Sequence, residues 1–141
     1  MIESLFNFIT IGSASLWLAM IIFPKQGFTQ RIVTQYWPYM VLAALYALIL
    51  LVALSQGLRF SLSLQGFKAS LDSSWVLLLV WTHLISFNLF IGVWIFRDAS
   101  YWRIATRPHL VLCWFLGPVG LGSYLWFRRQ KVSKDPIRLL N

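Results

Sequence analysis

Trp75-Val-Leu-Leu-Leu-Val-Trp81-Thr-His83-Leu-Ile-Ser86-Phe-Asn88-Leu-Phe90-Ile-Gly-Val-Trp94-Ile-Phe96 is the stretch that decides the fold. Its 22 residues carry no formal charge. As a helix at ~1.5 Å per residue they reach roughly 33 Å, and a hydrocarbon core is about 30 Å thick. The stretch therefore predicts a membrane-spanning helix over residues 75–96. His83, Ser86 and Asn88 fall near its middle. Polar side chains at that depth are costly unless they meet a neighbouring helix, a cavity or a bound molecule.

Composition agrees with a membrane location. Of 141 residues, 59% are hydrophobic and 11% charged, whereas a soluble domain carries about 25% charged residues. The formal net charge is +8. The basic residues sit at the ends of apolar spans and in the C-terminal tail, which suits anionic lipid head groups and not nucleic acid. The single cysteine, Cys113, lies in an apolar segment and reads as a small buried residue. Met1 to Asn7 lacks a basic flank and carries Glu3, so no cleavable signal peptide is expected there.

Three further spans follow from the same pattern, giving an expected all-α, four-helix membrane bundle over residues 1–127. The first runs over 5–23 and stops at Pro24-Lys25. The second covers 37–54 and opens with Pro38 in a first-turn position, where its missing N–H costs nothing. The fourth covers 109–127, and a basic tail occupies 128–141. Lys25 to Tyr36 reads as a polar connector. Leu58, Phe60, Leu62 and Leu64 alternate with polar residues in a strand-like way. A lone strand cannot satisfy its backbone in lipid, so residues 55–74 read as a water-side or re-entrant segment, or as a short interfacial helix with Leu64, Phe67 and Leu71 on one face. Four spans would put both termini on one side, and the basic residues favour the cytoplasmic side.

His83 is the sharpest candidate for chemistry. Phe87, Phe90, Trp94 and Arg97 lie roughly below it on one helical stripe. A histidine there can donate to a ligand oxygen or shuttle a proton; it can equally hold two helices together. Asn88 is about 140° round the helix and suits a clamp or a hydroxyl-orienting contact. Arg97-Asp98 reads as the end of the third span, with Arg97 on phosphate or the last carbonyls and Asp98 capping the next turn. Arg128 and Arg129 read as lipid anchors. Gly117-Pro118-Val119-Gly120 predicts a kink in the fourth span. Its glycines serve either close packing or the wall of a ligand groove. No zinc, His-Glu-x-x-His or phosphate-loop pattern is present in the sequence, and no metal site is expected.

Trp81-Thr-His83-Leu-x-x-x-Asn88-Leu-Phe90, Arg97-Asp98, Pro108-His109-Leu, Gly117-Pro118-Val119-Gly120 and Tyr124, with Phe23-Pro24-Lys25 and Tyr46, resemble the neoxanthin-synthase family of the abscisic-acid pathway and its bacterial relatives. The resemblance implies a small four-span protein of photosynthetic membranes acting in xanthophyll metabolism. Its plant members are needed to turn violaxanthin into neoxanthin, an intramolecular epoxide opening that yields an allene. Such an isomerisation needs a proton donor and a proton acceptor but no redox cofactor. His83 falls at the family's histidine and is the implied proton-transfer residue. The acidic residue that usually follows it by five is Asn88 here. Two functional readings stand. One is a membrane-embedded carotenoid protein, a cofactor-free isomerase with a bound polyene at His83, Asn88, Phe87, Phe90, Trp94, Gly117, Pro118 and Gly120. The other is a small accessory subunit of a larger photosynthetic complex, or a homo-oligomer, that holds pigment or lipid without catalysis. Both place the chain in a thylakoid or bacterial inner membrane.

Overall fold

A computed structural model describes residues 1–58, 61 and 63–134. Its elements are α1 (Ile2–Ile22), α2 (Gly27–Thr34), α3 (Trp37–Ser55), α4 (Leu64–Ser70), α5 (Ser74–Trp102), α6 (Thr106–Leu116) and α7 (Pro118–Lys134), with no strand among the described residues. Three helices, α1, α3 and α5, are long and apolar enough to cross a membrane. The chain forms two compact units: Met1–Ser13 with Gln35–Phe87, and Ala14–Thr34 with the residues from Asn88 onward.

In the first unit the Trp81 indole donates to Thr10 Oγ1 at 2.9 Å, and Phe6 stacks on the Trp81 ring. Thr82 and Ser86 return their hydroxyls to the carbonyls of Leu78 and Thr82. Back-bonding of this kind lets a hydroxyl lie inside an apolar helix at little cost. The helix α3 ends in a Schellman motif: Leu58 N–H reaches Ala53 O, Gly57 N–H reaches Leu54 O, and Gly57 takes the left-handed position at φ +91°. Beyond it, Ser63 caps α4 by accepting from Gly66 N–H at 3.1 Å. The helical reading of this segment holds, because a serine cap plus one turn satisfies backbone that a solitary strand leaves open. Arg59, Phe60 and Leu62 of the alternating run lie outside the described residues.

In the second unit the expected polar connector contains α2, which seats Thr29 and Val33 in the interior. Trp17 and Trp114 stack at 6.1 Å with nearly parallel rings. Trp17 lies directly on the backbone of Gly92, where an added Cβ would come within 2.3 Å of the ring. Arg107 donates to the Ile22 carbonyl at the end of α1. The third helix runs six residues past its expected end, through Trp102.

The fourth span is where sequence and structure part. Residues 109–127 do not form one kinked helix. Two helices, α6 and α7, meet at Gly117 (φ +41°, ψ −97°) and fold back on each other. His109 Nδ1 and the Ser123 hydroxyl are 2.9 Å apart although 14 residues separate them; a continuous helix would hold them ~21 Å apart. A Cβ on Gly120 would stand 2.1 Å from the Cys113 nitrogen, so the glycine is what lets the two backbones touch. The 11 residues of α6 reach only ~16 Å, about half a hydrocarbon core. The hairpin thus begins and ends on the side where α5 ends. The tip meets the middle of α5: a Cβ on Gly117 would lie 3.1 Å from Asn88 Oδ1, and Asn88 is the central residue of Ser74–Trp102.

Where a fourth crossing is expected, α6 and α7 form a hairpin, and the shared side expected for both termini depends on that crossing. Lys25 and Arg31 follow α1, and the basic residues from Arg97 to Lys131 lie at the end of α5 and along the hairpin. By the positive-inside rule, a reporter fused after Lys134 is expected on the cytoplasmic or stromal side and one fused before Met1 on the opposite side. Reporter activity on the same side for both fusions would restore the four-span arrangement. For the hairpin itself, Gly120→Ala is expected to lower stability by about 1–3 kcal/mol through overpacking. Gly122→Ala, with nothing within 4 Å, is expected to be neutral or to stabilise by up to ~1 kcal/mol. Thermal unfolding in detergent reads both.

Candidate functional site

Two groups of side chains carry chemistry, one in each unit. In the first, His83 projects from α5 beside Tyr46 of α3, with ring centres 5.8 Å apart, and over Phe87 one turn on, at 4.7 Å. The imidazole is exposed and makes no hydrogen bond within the described residues. It opens on a cleft of about 330 Å³ whose walls are Leu58, Phe67, Val76, Leu79, Val80 and Leu84. The polar groups on that cleft are Tyr46, Ser61, Ser70 and His83. The segment before α5 closes one side of it through Ser61, Phe67 and Ser70. A mostly apolar cavity with a few convergent polar groups, near the lower end of the ~300–1,000 Å³ typical of ligand sites, is suited to one ring of a small apolar ligand.

The second group is a network around Asp98. On α5, Trp94, Asp98 and Trp102 are four apart and share a face; on α7, Tyr124 and Arg128 do the same. The Tyr124 hydroxyl donates to Asp98 Oδ2. Arg128 donates through Nε to Oδ2 at 2.7 Å and through Nη2 to Oδ1 at 3.3 Å, the two-pronged geometry that favours arginine over lysine. The Trp102 ring lies 5.5 Å from the guanidinium carbon, within cation–π range. Trp94 and His109 both present to the Tyr124 ring edge-on, at 5.6 and 5.5 Å. Ser123 gives its single proton to the Gly120 carbonyl, so His109 Nδ1 carries a proton and donates to the Ser123 oxygen. The hydrogen bond to Asp98 raises the Arg128 pKa, against a smaller opposing effect of burial. The Arg128 and Asp98 side chains keep 31% and 18% of their surface exposed, so this is a partly sheltered pair and not a dry buried one.

The sequence candidates are thus divided. His83 and Phe87 belong to the first unit. Asn88, Phe90, Trp94, Gly117, Pro118, Gly120, Arg97, Arg128 and Arg129 belong to the second. Gly117 lies against Asn88 of α5, Gly120 against the backbone of Cys113, and Pro118 opens α7 at a position that has no hydrogen-bond partner to lose. Phe90, Arg97 and Arg129 are exposed. Asp98 does not cap a turn after the third span: it sits inside α5 and accepts from Tyr124 and Arg128. The sequence places Asp98 at a helix end, and on that reading the network does not show. The signal was the matching four-residue spacing of Trp94-Asp98-Trp102 and Tyr124-Arg128. Among the described residues no group of three or more His, Cys, Asp or Glu is placed to hold a metal.

Removing the acceptor at the centre of the network strands two donors, whereas removing one donor leaves the other bonded. Asp98→Ala is therefore expected to lower stability by about 1–3 kcal/mol, with Tyr124→Phe and Arg128→Ala each costing less, about 0.5–1.5 kcal/mol. Thermal unfolding of the three variants in one detergent checks the order.

The profile of the family described as ABA DEFICIENT 4-like matches residues 4–124, which take in both groups as far as Tyr124. Protein ABA DEFICIENT 4, chloroplastic, of Arabidopsis thaliana is 26% identical over 130 residues, covering 86% of this chain and 59% of that protein. The chain therefore spans about three-fifths of the length of the curated relative it matches. No solved structure matches the chain.

Proposed function

The chain belongs to the ABA DEFICIENT 4-like family, and on that premise we propose that it is a membrane-embedded xanthophyll-related protein whose working face is the His83 cleft. The observation that carries this is the imidazole itself. It stands at the family-like Trp81-Thr-His83 motif, on an apolar cleft, with ring contacts and no hydrogen bond within the described residues. A structural histidine in a membrane helix is normally bonded to a neighbour. The cleft, at about 330 Å³, suits one substituted ring at the end of a carotenoid, with the polyene running out along the lipid-facing side of the helices.

The finer reading is an isomerisation. Opening an epoxide to an allenic alcohol takes a proton from carbon and places one on oxygen. Atoms and electrons balance within the substrate, so no redox cofactor enters. His83 is the group assigned to proton transfer, and Tyr46 is the second titratable side chain on the cleft. Asn88 plays no part in the proton transfer; its side chain faces the hairpin tip. A plastid or bacterial inner membrane is the corresponding location.

Gently solubilised protein is expected to carry polyene absorption bands and to convert an added epoxy-xanthophyll. His83→Ala is expected to slow that conversion by about 10²–10⁴-fold, the usual worth of a general acid or base, while leaving melting within a few degrees of the parent. Colourless protein, together with a His83→Ala strain of unchanged carotenoid composition, would sink the proposal. Pigment retained without conversion, in a complex migrating far above 16.4 kDa, would instead make the chain an accessory pigment-holding subunit.

A further inference from the structure

We propose that the groove between the α5–α6 turn, the first turns of α6 and the second half of α7 binds one anionic phospholipid, its phosphate held by Arg103 and Lys131. The groove has a volume of about 490 Å³. Ile104, Leu112 and Phe127 give it an apolar wall, Arg103 and Lys131 stand on it as cations, and among the described residues no acidic one lines it. Neither cation is in an ion pair among the described residues. Arg128, the nearby cation of α7, is already engaged by Asp98, which leaves these two for a ligand.

The backbone at Arg103 is the second observation. The end of α5 is a Schellman motif, with Ile104 N–H reaching the Ala99 carbonyl at 2.9 Å. The left-handed residue in such a motif is normally glycine, and at the end of α3 it is Gly57. At the end of α5 it is Arg103, at φ +53°, among the described residues the one side-chain-bearing residue at positive φ. Left-handed backbone is unfavourable for a residue with a Cβ, and such outliers persist where a side chain is needed at that place. Here the arginine is delivered to the mouth of a groove whose other described lining groups, Lys131 apart, are apolar or neutral.

Charge and depth select the occupant. The groove opens where the chain passes from the apolar helix α6 to the basic run Arg128-Arg129-Gln130-Lys131, the level of lipid phosphates. A polyene has no charge to satisfy two cations. A free anion leaves the Leu112–Phe127 wall uncovered. A phospholipid with net negative charge meets both, phosphate on the cations and acyl chain on the wall.

Full-length protein in detergent is titrated with phosphatidylglycerol or phosphatidylcholine and read by native mass spectrometry. One phosphatidylglycerol per chain is expected to be retained in clear preference to phosphatidylcholine. Arg103→Gly is expected to weaken that retention about fivefold, the worth of one basic residue at a lipid surface, while the melting temperature stays the same or rises, since glycine suits the backbone better. Lys131→Gln is expected to weaken it similarly, and Arg129→Gln, which changes an exposed cation outside the groove, to leave it unchanged. Equal losses for Arg129→Gln and Arg103→Gly would overturn the proposal in favour of diffuse surface attraction. Retention unaffected by either groove variant, or displacement of the lipid by an equal concentration of chainless glycerol phosphate, would overturn it as well.

Discussion

Backbone polar groups in hydrocarbon have no water to turn to, and the hairpin tip at Gly117 is where this chain confronts that constraint. A helix leaves its last carbonyls and first N–H groups open, and here one helix ends and the next begins at a single residue. Pro118 removes one of the open donors by having none. Gly117 N–H bonds to Cys113 O, and Leu121 N–H returns to Gly117 O. The Asn88 amide stands against what remains. Irregular backbone at such depth is tolerated only where protein surrounds it, and Asn88, Cys113 and Gly120 are the protein that does so.

The polar groups of α5 fall into three kinds. Thr82 and Ser86 satisfy their own helix. Asp98 is answered by Tyr124 and Arg128 along α7, and Asn88 lies against the hairpin tip. His83 is left with aromatic rings alone among the described residues. One helix thus separates structural polarity from polarity that is open to a ligand. The same contrast explains why a carboxylate is tolerated on α5: Asp98 meets a guanidinium and a phenol where the chain becomes basic, and His83 has no charged partner among the described residues.

Much of this was legible in the chain. Length and apolarity marked α1, α3 and α5 to within a few residues at most ends, and Trp75–Phe96 was read as helix because charge is absent over the whole run. The motif around His83 pointed to the residue that faces the cleft. The fourth segment departs from its sequence expectation for a physical reason. Hydropathy reports what a residue tolerates, not which way the backbone runs, so apolar residues on both arms of a hairpin look like one span. Gly-Pro predicts a kink, but Gly117 at positive φ lets the chain reverse. The Asp98 network was hidden because its two halves are 26 and 30 residues apart in sequence and only the reversal brings them into register.

The reversal also bears on the order in which the molecule is assembled. The first arm of the hairpin, α6, is too short to cross the bilayer, and α7 is mostly polar beyond Phe127. Such an element gives a translocation machine no independent reason to retain it in lipid. It gains its place only when Asn88, Trp94 and Asp98 are already there to receive it. The C-terminal third thus completes its fold only against a helix that precedes it in the chain.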